Sequence, residues 1–277
     1  MLPYIPYINI PYSYDHNINN PQFQILYDGR YLFVRSNSVR IFNPETLNEI
    51  NTSLDRSLVR VQASDLENAF YGQNDNKIYK YTILENDTIE ETLLINSYGY
   101  GNISSGFSVE GNKLFFILEN NGMYYGYTKV GNEDAILLYE GSDCCWTPFL
   151  FNDRYIQFRW GSWTEMVQTE SGAYNYSGQN YPTIDGLQID NLDFDSFVNV
   201  FNNEIYVYVE ITGDGYKIYK LDIENNNLIS INYLPNNNID SSYGGKFDID
   251  SDGNLLFDQF YSDSEFEKWI LYSYQLS

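Results

Sequence analysis

The chain has 277 residues, and its acids outnumber its bases 38 to 15, giving a net charge of −23. That balance excludes binding of nucleic acid or anionic lipid through a broad basic patch. Aromatics make up 18% of the residues, 28 of them tyrosine, while Asn is frequent and Ala scarce. This composition excludes a helix bundle and favours pleated, half-buried strands.

The N-terminal stretch begins Met1-Leu2-Pro3-Tyr4-Ile5-Pro6-Tyr7. It lacks a basic start and is broken by prolines at 3, 6 and 11, so it makes a poor signal peptide. No apolar run is long enough to span a bilayer, and no membrane insertion is expected. A chain of this kind is either shown mature, or cytosolic, or carried outside by another route such as a virus particle. The Tyr- and Asn-rich composition favours an extracellular or virion-associated place.

From residue 23 onward one pattern recurs: an alternating strand, a tight turn, then a strongly apolar strand. It runs through Phe23–Val34 with Asp28-Gly29 at the turn, and through Gly106–Ile117 with Glu110-Gly111. It returns at Pro148–Phe158 with Asn152-Asp153, at Phe197–Tyr208 with Asn202-Asn203, and at Gly245–Phe257 with Asp252-Gly253. Such dipeptides between alternating strands are hairpin signals. A second strand pair recurs after the hairpins, most clearly as Val39–Phe42 with Glu49–Thr52, Lys77–Thr82 with Glu90–Ile95, Met123–Thr128 with Ala135–Tyr139, and Tyr216–Asp222 with Leu228–Tyr233. Turn spacing is about 40 to 50 residues, and the doubled gap between 29 and 111 must hold one more unit. Its inner strands fall at Leu58–Ala63 and Asn68–Gly72, although Ser53–Phe70 also reads as a helix, with Leu54, Leu58, Val61 and Leu66 partly on one face.

Six four-stranded units resemble the repeats of a β-propeller. The resemblance covers nearly the whole chain and implies fold, not activity. The Trp-Asp signature, a repeated kelch Gly-Gly pair and the sialidase Asp box are all missing. The expected fold is a single all-β domain, a six-bladed propeller. Its arm spans 1–20 and its blades about 21–55, 56–97, 104–140, 146–178, 195–235 and 243–277. The last blade has three strands of its own, so residues 4–14 are expected to close it as an outer strand, where prolines are tolerated. A long β-sandwich, or two stacked ones, is the alternative.

Chemistry-bearing motifs are few. Asp248, Asp250 and Asp252 alternate before Gly253, as in the first half of a calcium loop, but Leu256 and Gln259 stand where later ligands belong. The plain reading is a hairpin turn, with no metal. His16, the single histidine, is a poor start for a catalytic triad. Cys144 and Cys145 are adjacent, which suits two thiols better than a disulfide or a metal pair. No phosphate-cradling glycine loop is present, and no cofactor is expected. Asn-x-Ser/Thr sequons at Asn51, Asn86, Asn102 and Asn175 are as many as so Asn-rich a chain gives by chance.

Aromatics in the expected loops carry more information. Trp146, Trp160 and Trp163 fall in connections assigned to one rim, with Asp143, Arg159, Glu165, Tyr181 and Asp185 as polar and aromatic neighbours. Tyr98 and Tyr100 join them from Ser97–Gly101. Aromatic faces beside amides and acids suit sugar rings and protein hot spots, unless the tryptophans plug gaps between blades. Arg30, Arg35, Arg40, Arg56 and Arg60 cluster in an otherwise acidic chain; they could dock an acidic partner or a second copy, or simply form surface ion pairs. The function expected is non-enzymatic recognition of a glycan or protein, within a larger assembly. The alternatives are a glycan-active hydrolase or lyase using rim carboxylates, and a structural component.

Overall fold

The structure is a computed structural model. It describes residues 10–11, 22–35, 38–43, 46, 48–50, 54, 58–142, 147–159, 161–170, 174–188, 192–211, 215–231, 247–249, 253–262 and 267–275. The described residues are all strand, turn and bend, without a helix. In particular no helix is long and apolar enough to cross a membrane.

In chain order, β1 is Ile10–Pro11. β2 (Gln22–Ile25), β3 (Tyr31–Arg35), β4 (Ser38–Phe42) and β5 (Glu49–Ile50) form a first meander. β6 (Arg60–Ala63), β7 (Ala69–Asn74), β8 (Lys77–Ile83) and β9 (Ile89–Asn96) form a second. The ambiguous stretch near 58–72 therefore holds two strands, β6 and the start of β7, and no helix. Ala69, Phe70, Tyr71 and Gly72 are buried in succession, as befits a strand covered on both faces rather than a one-sided helix.

β10 (Asn102–Glu110), β11 (Lys113–Asn120), β12 (Met123–Val130) and β13 (Ile136–Gly141) make the third sheet. β14 (Thr147–Phe151), β15 (Arg154–Arg159), β16 (Ser162–Gln168) and β17 (Tyr174–Tyr176) make the fourth. The fifth departs from the four-stranded expectation. β18 (Thr183–Ile184) joins β19 (Leu192–Phe201), β20 (Glu204–Ile211), β21 (Gly215–Asp222) and β22 (Asn227–Ser230) as a parallel outer strand beside β22. The long connection before residue 195 supplies this extra strand. β23 (Phe247–Ile249), β24 (Asn254–Ser262) and β25 (Glu267–Gln275) complete the set, with β1 paired antiparallel to β25 through Ile10–Trp269 and Pro11–Lys268.

The chain divides into two compact units. One contains 1–25, 29–55 and 183–277; the other contains 26–28 and 56–182. The first holds sheets one, five and six, and the second holds sheets two, three and four.

The turns follow the sequence signals. Asn152 and Asp153 both have positive φ (49° and 62°), as do Asn202 and Asn203 (49° and 61°). That is the two-residue hairpin geometry matching strand twist, and Asn and Asp tolerate it best after Gly.

In the second unit, alternation along β11 builds the core. Leu114, Phe116 and Leu118 pack with Tyr71, Ile78, Ile103, Phe107 and Val109. Phe115 turns the other way, to Leu138, Tyr139, Leu150, Tyr155 and Met166. A strand apolar on both faces is what two flanking sheets require.

Polar latches tie neighbouring sheets. Gln62 of β6 brackets Val109 of β10, donating to its carbonyl at 2.8 Å and accepting its N–H at 2.9 Å. The Asp65 carboxylate accepts the Gly111 N–H at 3.1 Å. Glu110 accepts the N–H groups of Asn152 and Asp153 at 2.7 and 3.1 Å. In the first unit Asp248 accepts the Ile25 N–H at 2.6 Å. Among the described residues the same device thus occurs at Asp65, Glu110 and Asp248, an acid in or just after the first strand of a sheet holding backbone of another sheet.

Candidate functional site

The candidate site is the loop joining β9 to β10 in the second unit. Ser97, buried to 3% exposure, anchors it. Its N–H donates to Asn76 O at 2.9 Å, and its hydroxyl lies 2.8 Å from Gly101 O. Its carbonyl accepts the N–H of Tyr100 at 2.9 Å. From the next turn, the Asn120 amide donates to Tyr100 O at 3.0 Å. Gly101 has φ of 151°, and a Cβ there would stand 2.6 Å from Glu119 O, so only glycine permits this approach.

So pinned, the loop shows two rings to solvent: Tyr98 is 55% exposed and Tyr100 74%. Lys77 Nζ lies 5.5 Å from the Tyr98 ring centroid. The Tyr98 hydroxyl donates to the Asp75 carboxylate, and this bond is the main cause that raises its pKa above the usual tyrosine value. Asn76 donates to Asn102 at 3.1 Å and accepts the Ile103 N–H at 3.3 Å. The result is a firm surface of aromatic rings, amides, acids and one lysine. It can stack and hydrogen-bond, and it contains no histidine or cysteine that could act as nucleophile or base. Sequence reading found Tyr98 and Tyr100 but missed Asp75, Asn76, Lys77 and Asn120. Asn76 and Lys77 follow Asp75 at a hairpin turn, and that turn signal was the available clue.

The tryptophan platform fares differently. Asp143, Trp146 and Trp160 lie outside the described residues, as do His16, Cys144, Cys145, Asp250 and Asp252. Trp163 is described, and it is packed, at 4% exposure, with its backbone paired to Asn180 in both directions at 3.0 and 2.8 Å. The sequence left open whether this ring meets a ligand or packs between sheets; in β16 it is turned inward. Arg159 is partly buried. Glu165 accepts a two-pronged bond from Arg154 at 2.8 and 2.7 Å. Tyr181 is exposed at 56% and bonds Gln179. Asp185 sits beyond β18 in the fifth sheet, accepting the Ser230 N–H at 3.0 Å and its hydroxyl at 2.5 Å. Those bonds hold its pKa below the usual carboxylate value. Glu165 and Asp185 are thus structural acids with partners of their own.

Both oxygens of Asp248 are likewise engaged, with Ile25 N–H and, at 2.9 Å, its neighbour Ile249 N–H. Among the described residues no group of three or more His, Cys, Asp or Glu side chains could hold a metal ion. Of the arginine cluster, Arg40 makes a two-pronged bond to Glu49 at 3.0 and 2.7 Å and covers the Phe42 ring at 5.0 Å.

No protein-family model matches the chain, and no curated protein matches it. Solved structures similar in fold include the extracellular domain of a hybrid two component system from B. thetaiotaomicron, with TM-score 0.54 and 11% identity over 97% of this chain. This chain spans 35% of that one, and 39% of a second structure from the same organism described as belonging to a one component system. A chain of the mitotic checkpoint complex gives TM-score 0.53 at 10% identity, covering 98% of this chain and 92% of that one. The CNH domain of AfRom2 gives 0.51 at 9%, covering 97% and 98%. At such identities the likeness concerns fold alone.

Proposed function

We propose that the chain is a non-enzymatic recognition module that binds a partner protein through the Tyr98–Tyr100 face, and that its six sheets are the blades of one propeller. One observation carries the binding reading: a loop fixed by four backbone and side-chain hydrogen bonds presents two tyrosines that bury little of themselves. Rigid tyrosines lose little entropy on contact, which is why they serve as hot spots. The sheet repeat, the acid latches and the fold likeness to extracellular and complex-forming proteins support the propeller reading. The amides around the rings favour a second reading, a glycan stacked on Tyr100.

The test compares immobilised wild type with Tyr98→Ala and Tyr100→Ala, by cross-linking mass spectrometry in protein extracts and on a glycan array. Protein capture that the substitutions weaken by about 2 kcal/mol or more, at unchanged melting temperature, is expected. Glycan signal with the same sensitivity would select the second reading. Retention of every ligand by both variants would remove this face from the function.

A further inference from the structure

A second surface lies at the opposite end of the third sheet. Among the described residues β13 and β17 are the outer strands of the third and fourth sheets, each with an edge that no described strand of its own sheet covers. They meet where the Tyr139 and Tyr176 rings lie 5.1 Å apart. Beside that contact is a cleft of about 400 Å³. Its floor is Tyr155, whose hydroxyl donates to Thr128 at 3.1 Å and whose ring meets Tyr174 edge-on at 5.7 Å. Ile136 and Leu137 form one wall, and they are 58% and 46% exposed.

The fold fixes the cleft's shape. Tyr139 lies directly over Gly126 of β12, where a Cβ would stand 1.9 Å from the ring, so any other residue at 126 would push the ring away. Lys113 also lines the cleft, its ammonium 5.7 Å from the Tyr155 ring centroid and paired with Asp153.

We propose that this groove receives an extended peptide segment of a partner protein, with apolar side chains in the cleft and lysine or arginine on its flanks. The size is that of a ligand pocket, and uncovered strand edges recognise extended chains through backbone hydrogen bonds. Charge selects the flanks. Glu133 and Asp134 lead into β13, Glu140 lies within it, and Glu170 follows β16, all exposed. The cations nearby are engaged internally: Lys113 with Asp153, Lys129 with the Glu133 carbonyl, and Arg154 with Glu165. A basic segment is therefore attracted, whereas a second copy at −23 is repelled. The inference does not depend on the Tyr98–Tyr100 face.

The experiment pans a random phage-displayed library of peptides roughly ten residues long, enough for one extended strand, against the whole chain. The most enriched peptide is then synthesised and titrated by fluorescence anisotropy. Enriched peptides should carry spaced apolar residues and net positive charge, and their binding should weaken with added salt. Leu137→Asp and Ile136→Asp should each weaken binding about tenfold or more, with melting temperature retained because neither side chain belongs to the buried core. Two variants guard against one failing to fold. Tyr100→Ala should bind the peptide like wild type, which separates this groove from the other face. No enrichment, enrichment of neutral or acidic peptides, or unchanged affinity in the folded Asp variants would overturn the proposal. Peptide binding lost only in Tyr100→Ala, or concentration-dependent dimers abolished by Leu137→Asp, would do so equally.

Discussion

Tyr139 shows how much one side chain can carry. Its ring fills the space above Gly126, and its hydroxyl accepts the Gln157 amide at 2.7 Å. Burial pushes its pKa from 10.0 up to about 12, against the opposing hydrogen bonds of Gln157 and Tyr176. Below pH 10 the folded and unfolded chains both keep this proton. Between 10 and about 12 only the unfolded chain ionises, so stability falls through that window. The loss is on the order of 2 to 3 kcal/mol for this residue. Tyr139→Phe should flatten the alkaline limb of a plot of unfolding free energy against pH. At neutral pH it should cost about 1 to 3 kcal/mol, because the buried Gln157 amide loses its acceptor. An alkaline slope identical to wild type in urea titrations would show that Tyr139 is not the group responsible. Trp163 teaches the converse. The sequence places it in an expected connection between strands, yet Ser162–Gln168 pairs along β15 and the indole is buried.

At the scale of elements, the sheets are joined by acids as well as by apolar packing. The hairpin dipeptides were legible because Asn, Asp and Gly alone accept the backbone that a tight turn demands. The acids before them read as turn formers too, and their second task was hidden. Glu110 ends β10, but its carboxylate serves the turn between β14 and β15. No local pattern reveals a bond across some forty residues. Glu110→Ala should speed amide exchange at Asn152 and Asp153 about tenfold and cost roughly 1 kcal/mol, since the freed N–H groups still reach water. Glu110→Gln, which keeps one acceptor, should fall between. Exchange rates unchanged by either substitution would mean that the turn holds itself. β18 was illegible for a related reason: two residues in a long connection carry no periodicity, and their partners, Asn227 and Leu228 of β22 with Ser230 beside them, lie some forty residues away.

At the scale of the whole molecule, the two ends of the sequence meet within one unit. β1 pairs with β25, and Asp248 of the last sheet holds Ile25 of the first. From the sequence, residues 4–14 are expected to lie beside the last strands, and Ile10–Pro11 is the part of that segment seen to pair there. Deleting residues 1–14 should uncover the β25 edge, lowering the melting temperature and promoting aggregation. A truncated chain that stays monomeric, with an unchanged melting curve, would show that the β1 pairing adds nothing. The charge of −23 acts at this scale as well, disfavouring anionic partners wherever on the surface they approach.

Strand class, repeat and turn positions were determined by the sequence alone, because alternation and turn chemistry are local: they need only neighbours two to four residues away. Leu114–Leu118 announces a strand covered on both faces before any neighbour is known. Which aromatics are surface and which are core was decided only by the tertiary structure. Tyr98 and Trp163 look equally loop-like in the chain, yet one is 55% exposed and the other 4%. Exposure depends on what another sheet lays over a residue, and that covering arrives from tens of residues away. The groove beside Tyr155 is the clearest case. Lys113, Ile136, Tyr155 and Tyr174 share no motif, and they line one surface because two outer strands happen to be neighbours in space.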